Sequence, residues 1–323
     1  MYEIEGGFTP DGIIAFDTKP FLDLLEITGP IKLEKYNLEI NKENFIPITQ
    51  FKTSVDYDIS ENNPKKFLSD FTPLLLERIS ALNEDGQKKI LAILINNIQE
   101  KHIQFYSTEK EVQNAFIKLD IAGEIKDSEN TDYFAYINSN IGGLKTNSQI
   151  TENLNHEITI DENKNIIHKV ILERKHSGSD TNYAYLRFYL PKGSKILNVK
   201  GFEKKDSIKR DETSGMIYLE ERSDEYLGKA EISDLDIYEE SGKTVVGGWQ
   251  VIKPQKELLS QITYQLPDNI AVKNNVYELL IQKQSGILSQ LTNIEVDDLS
   301  NKVNGSVSLD LKKDELVLIP LNK

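Results

Sequence analysis

Cysteine is absent from the 323 residues. That excludes disulfides, zinc thiolate sites and cysteine nucleophiles, and it fits a reducing cytosol and bacterial export equally well. Histidine occurs four times, at His102, His156, His168 and His176. No two of them make H-x-x-x-H or H-E-x-x-H, so there is no zinc signature. A G-x-S-x-G nucleophile elbow and a G-x-x-x-x-G-K-[S/T] phosphate loop are also missing. Long apolar runs are lacking: Ile90 to Ile95 is six residues, against the ~20 that span a bilayer as a helix. Basic charge is in deficit. Lys and Arg number 38 against 52 Asp and Glu, for a net charge of −14, and such a surface repels phosphate backbones and disfavours nucleic acid as partner. Proline (10), glycine (18) and tryptophan (one) are sparse, as in an ordinary globular chain with apolar material for more than one core.

The N-terminus, MYEIEGGFTPD, has neither a basic n-region nor an apolar h-region, so no signal peptide is read there. A strand is reached within about a dozen residues, and this abrupt start suggests a chain cut from something longer.

The patterning divides the chain. Gly12 to Asp17 reads as a buried strand. A helix from Pro20 is stopped by Gly29-Pro30, and Ile31 to Asn41 reads as a strand and hairpin. Lys42 to Phe51 reads as a short helix interrupted near Pro47. Phe67, Leu68, Phe71, Leu74, Leu75 and Ile79 mark an amphipathic helix, with a kink or restart expected at Pro73. Asp85-Gly86 is read as a turn before a helix from Gln87 to Lys101. His102 to Tyr106 is a strand, and Thr108 with Glu111 matches a capping box for a third helix. Asp132 to Asn138 is an aromatic-rich strand. From Glu152 onward short strands between polar turns predominate, including a hairpin around DENKN. The expected fold class is α+β: a partial, helix-rich α/β domain over 1–150, an antiparallel β-sandwich module over 151–230, and a second β-sheet module or continuation of the sandwich over 231–323.

Within this frame the sequence offers a few candidate sites. Asn140, Gly142, Gly143, Lys145 and Asn147 combine glycines that free backbone N–H groups with one cation, a pattern that can hold phosphate; a structural turn is the preferred reading. Asp11 and Asp17 flank a strand and fall on one face, as weak candidates for a divalent cation with a third carboxylate; helix entry is preferred for Asp17. Tyr183, Tyr185, Arg187 and Tyr189 share a strand face, either packed or sugar-contacting, with packing preferred. For Trp249, packing between sheets is preferred over ligand stacking. The acidic run Glu231, Asp234, Asp236, Glu239 and Glu240 reads as a solvated segment and a possible module boundary.

Several ordered segments carry a resemblance. DGIIAFD, FLDLLEITGPIKL and INKEN, then DYFAYINSNIGGLKTN, YLRFYLPKGS, GGWQVIKP and YELLIQKQSG resemble the bacterial family catalogued as domain of unknown function 4012. The matches run in chain order over nearly the whole sequence. The resemblance implies a C-terminal part of a larger envelope protein, extracytoplasmic, with membrane attachment only through an N-terminal anchor that this chain lacks. The α/β part also has a fainter likeness to the LytR–CpsA–Psr phosphotransferases. The leading expectation is a binding or scaffolding element of the cell envelope that needs no cofactor, with wall glycopolymer or another envelope protein as partner. The alternatives are a truncated or degenerate glycopolymer phosphotransferase, using Lys145 and Mg²⁺ at Asp11 or Asp17, and an adhesin-like protein that binds wall polysaccharide.

Overall fold

A computed structural model describes residues 9–54, 66–141, 145–211, 217–219 and 229–321. The protein is a mixed α/β chain with two large sheets. It divides into two compact units, Met1–Glu124 and Ile125–Lys323.

In the first unit the order is β1 (Gly12–Phe16), α1 (Lys19–Thr28), β2 (Ile31–Leu33), β3 (Leu38–Ile40), α2 (Phe45–Ser54), α3 (Lys66–Ser80), α4 (Glu84–Gln99), β4 (Ile103–Ser107) and α5 (Lys110–Lys118). Its core gathers Leu25, Ile31, Leu33, Ile40, Phe45, Phe67, Phe71 and Leu75, so the stripe read on α3 is the face that packs. Helix α3 runs through Pro73 as one element, without a restart. Two local expectations change. Asp85 and Gly86 lie inside the first turn of α4, where the Asn83 side chain accepts the Gly86 N–H at 3.0 Å; the asparagine cap starts the helix earlier than the Asp-Gly pair suggests. Thr108 does not cap α5, because its hydroxyl donates to the Asp11 carbonyl at 3.0 Å and leaves Glu109 as the capping position.

The second unit holds β5 (Asp132–Ser139), β6 (Ile150–Ile160), β7 (Ile166–His176), β8 (Asn182–Pro191), β9 (Lys195–Lys200), β10 (Ile208–Arg210), β11 (Ile217–Leu219), β12 (Asp236–Glu240), β13 (Lys243–Ile252), β14 (Glu257–Gln265), β15 (Val276–Gln282), β16 (Gln290–Asp298), β17 (Val303–Leu311) and β18 (Glu315–Pro320). Sheet I has the order β12-β13-β8-β5-β15-β18, and sheet II the order β17-β16-β6-β7-β14-β9. Apolar residues of both sheets, such as Phe134, Leu186, Val246 and Leu279 from sheet I with Leu154, Val170, Ile262 and Ile294 from sheet II, form one buried cluster.

Strands from before and after residue 230 are interleaved within each sheet, so of the two readings left open for 231–323 the strand order follows the continuous one. Strand β5 is interior to sheet I, so the second unit begins at Ile125 and not near residue 150. The sheets are also not wholly antiparallel, since β15 runs parallel to β5 and β16 parallel to β6. The chain passes from sheet I to sheet II at β5–β6, β8–β9, β13–β14 and β15–β16, and the last passage lies beside the first, with both of its strands parallel to the earlier pair. The acidic run is no boundary either: Asp236–Glu240 is the edge strand β12, paired with β13.

Candidate ligand-binding face

The two aspartates weighed for a cation do not come together. Asp11 and Asp17 sit beyond the two ends of β1, roughly 20 Å apart at ~3.3 Å per strand residue, too far to share one ion. Asp17 instead accepts the Lys19 N–H at 2.8 Å at the entrance of α1 and pairs with His102 Nδ1 at 2.6 Å. Among the described residues no group of three or more His, Asp or Glu is arranged to hold a metal. Gly142 and Gly143 lie outside the described residues. Lys145 is exposed in a left-handed backbone conformation (φ 52°). Asn140 reaches Thr146, and Asn147 accepts from Asn182 Nδ2 at 2.9 Å. The described part of this turn is therefore anchored to the sheets by its own polar side chains.

That anchor leads into a buried network. Arg174, on β7, is 1% exposed. Its Nε donates to Glu152 at 2.8 Å, and its two terminal nitrogens donate to Gln250 and to Asn182, the latter at 3.1 Å. Glu152 also accepts from Tyr136 at 3.1 Å and Asn138 at 2.8 Å, Gln250 donates to Ser260, and Asn182 holds Thr146. Side chains of both sheets thus meet on one guanidinium, whose planar fork suits several acceptors at once.

A second network crosses the same interior. Tyr277 donates to Asp132 at 2.8 Å, and His168 Nε2 lies 3.0 Å from the Tyr277 hydroxyl. His168 Nδ1 lies 2.6 Å from His156 Nε2 and 3.1 Å from the Tyr264 hydroxyl. All five side chains are buried. Desolvation sets their protonation: it pushes the Asp132 carboxyl up to about 7, the His156 imidazole down to about 3, and His168 well below its usual range. His156 Nδ1 has no hydrogen-bond partner. The second network is enclosed, whereas Glu152 and Arg174 of the first also line an open cleft of about 750 Å³ together with Glu173, Lys175 and Glu257.

The outer face of sheet I is different. Gln250 and Val246 point into the shared core, so Trp249 points outward. This overturns the expected packing of Trp249 between sheets: the tryptophan has the same strand parity as Val245 and Gly247 and the opposite parity to the core residues. It is half-buried and lies directly opposite Tyr185 in the β13–β8 register, with ring centroids 5.3 Å apart in an edge-to-face arrangement. Tyr183 and Arg187, also half-buried, continue this face. The neighbouring Tyr189 is 3% exposed and packs with Tyr133, Ala135 and Val245, so packing holds for that residue.

Edge strand β12 fixes the tyrosines. Tyr185 donates to Asp236 at 2.7 Å and Tyr189 to Glu240 at 3.0 Å, while Arg187 donates to the Tyr189 hydroxyl at 3.2 Å. Burial first, and then the carboxylate, raises the pKa of each phenol, that of Tyr189 to about 12. Lys205 bridges to Asp236, and its hydrogen bond together with that of Tyr185 holds the Asp236 carboxyl below its usual range. Gly247 makes room for the arrangement, because a Cβ there would stand 2.3 Å from the Tyr185 hydroxyl. Sequence periodicity finds the tyrosines and Arg187. It misses Trp249, Asp236 and Glu240, which join them only through pairing of β12 and β13 with β8.

No family model matches the chain, and no curated protein matches it. Among solved structures it is similar to a "putative nutrient binding protein" of Legionella pneumophila, at 8% identity and TM-score 0.33, over 60% of this chain and 73% of that one. It is also similar to an M1 zinc metallopeptidase of Deinococcus radiodurans, at 7% identity and TM-score 0.23, over 53% of this chain and 38% of that one. The likeness spans well under half of the peptidase, and at these TM-scores neither similarity bears on ligand or reaction.

Proposed function

We propose that the two six-stranded sheets form a β-sandwich that works as a saccharide-binding element of the cell envelope. The observation that carries this reading is the outward Trp249–Tyr185 pair on sheet I. Aromatic rings with polar tips offer an apolar surface to the C–H face of a pyranose and hydrogen bonds at its rim. Here Arg187, Asp236 and the tyrosine hydroxyls supply that rim, already held in place by one another. Ordered side chains lose little entropy when a ligand settles on them. A half-buried strip along two strands suits contact with an internal stretch of polymer better than enclosure of a small molecule. The placement in the envelope rests on the ordered sequence resemblance, which also makes wall glycopolymer the first ligand to try.

The test is sedimentation of the protein with purified, insoluble bacterial wall polysaccharide. The wild-type chain is expected in the pellet, and Trp249→Ala is expected to bind roughly 30-fold more weakly, the equivalent of the ~2 kcal/mol of an aromatic hot spot. Equal binding by the two proteins would remove Trp249 from the site. A wild-type chain that stays in the supernatant with every wall preparation would end the saccharide reading.

A further inference from the structure

Strand β1 is apolar on both faces and exposed on both. Ile13 on one side is 53% exposed, and Ile14 and Phe16 on the other are 60% and 56% exposed. A strand that is apolar on both sides belongs in the interior of a sheet covered on two faces. Yet among the described residues β1 pairs only with β4.

The backbone shows which edge is open. Thr108 N–H donates to the Asp11 carbonyl at 2.9 Å, and Asp17 N–H donates to the His102 carbonyl at 3.2 Å. In an antiparallel ladder hydrogen-bonded residues alternate, so Asp11, Ile13, Ala15 and Asp17 face β4. Gly12, Ile14 and Phe16 then direct their N–H and C=O groups away from it. The far side of β4 is already met, since Phe105 N–H donates to the Ile121 carbonyl at 3.0 Å. Among the described residues the remaining edge of this small sheet is therefore that of β1. Folded proteins rarely leave an apolar strand edge uncovered, because it invites another strand.

We infer that the open edge of β1 is a docking site for an extended segment of another polypeptide, apolar in its middle and basic at both ends. Strand addition satisfies the three outward backbone positions, and the apolar centre covers Ile13, Ile14 and Phe16. Charge selects the ends. Asp11, exposed, and Asp17, a quarter exposed beside His102, bracket the strand, so Lys or Arg on the incoming segment meets a carboxylate at each end, most freely at Asp11. A second copy of this chain is disfavoured by the same charges. Antiparallel pairing of β1 with itself about Ile14 sets Asp11 opposite Asp17 of the other copy at both ends, and directly opposed like charges destabilise a sheet.

Residue-resolved amide hydrogen exchange on the full chain tests this, with the peptide Lys-Lys-Thr-Val-Thr-Val-Thr-Lys-Lys as probe. In the free protein Ile13 and Ala15 are expected to be protected, with Gly12, Ile14 and Phe16 exchanging fast. On adding the peptide, exchange at Gly12, Ile14 and Phe16 is expected to slow at least tenfold. A control with glutamates in place of the lysines should give at least tenfold weaker protection. The inference is overturned by protection of those three amides without peptide, by protection that grows with protein concentration alone, by no response to the lysine peptide, or by equal response to both peptides.

Discussion

Arg174→Ala is expected to cost the second unit about 3–5 kcal/mol, the range for removing one partner of a buried ion pair. The guanidinium is 1% exposed and joins Glu152, Gln250 and Asn182. Removing it leaves the Glu152 carboxylate with only the neutral donors Tyr136 and Asn138. The amide oxygens of Gln250 and Asn182 lose a buried donor as well, and unsatisfied buried groups carry most of such losses. For a unit of this size the melting midpoint should fall by roughly 10 °C. Arg174→Lys should recover little, because a single ammonium cannot reach three acceptors in different directions. The double variant Arg174→Met with Glu152→Gln removes both charges and should lose clearly less than Arg174→Ala alone. Urea unfolding of the four proteins measures this. An Arg174→Ala loss under about 1 kcal/mol would mean that the network is not the junction between the sheets that its geometry implies.

Acid is expected to destabilise the protein, with a slope set by the buried Asp132–Tyr277–His168–His156–Tyr264 chain. In the unfolded chain both histidines bind protons as pH falls through about 6.5. Folded, His156 stays neutral down to about 3, and His168 is held well below its usual range by burial and by His156. Their contribution is therefore present above pH 6.5 and lost on acidification. Asp132 works the other way. Its folded pKa is raised to about 7, so its contribution is present below the unfolded value and is lost as pH rises through 7. Around pH 5 the unfolded cluster holds about two more protons on histidine, and the folded cluster about one more on Asp132. The net difference of one proton makes stability fall by roughly 1.4 kcal/mol per pH unit between about pH 6.5 and 4. His156→Leu removes one of the two opposing histidines and should flatten the slope over that window, whatever it does to absolute stability. Unfolding free energies at half-unit pH steps decide the matter, and a wild-type slope near zero would count against neutral buried histidines.

Local chemistry made much of this legible before the fold was known. The Asp161 side chain accepts the Asn163 and Asn165 N–H groups and organises the turn, so the β6–β7 hairpin could be read from its DENKN sequence. The stripe of α3 and the two-residue period of Tyr183 to Tyr189 were legible for the same reason, since each is a short-range pattern. What stayed hidden is non-local. The parallel pairs β5–β15 and β6–β16 join residues more than a hundred apart, and no local signal marks them. The side of Trp249 is hidden because strand parity cannot say which face is the core. That depends on the pairing of Gly247–Trp249 with Tyr185–Arg187. The histidine pair was within reach: once the hairpin opposes Ile158 to His168, His156 stands diagonally beside it on one face. Asp11 and Asp17, weak candidates for a cation, stand apart for a simple reason of length, because a shared strand face says nothing about separation along the strand.

The measurement that goes most directly to the central claim uses Trp249 itself, the only tryptophan in the chain. Its emission reports on the outer face of sheet I without any added label. Titration with soluble wall-polysaccharide fragments should produce a saturable change in Trp249 emission. The same titration of Tyr185→Ala should require a much higher fragment concentration, because the ring that meets Trp249 edge-on is gone. Emission that does not respond to any fragment, in a protein that still sediments with the insoluble polymer, would place the binding elsewhere and contradict the account.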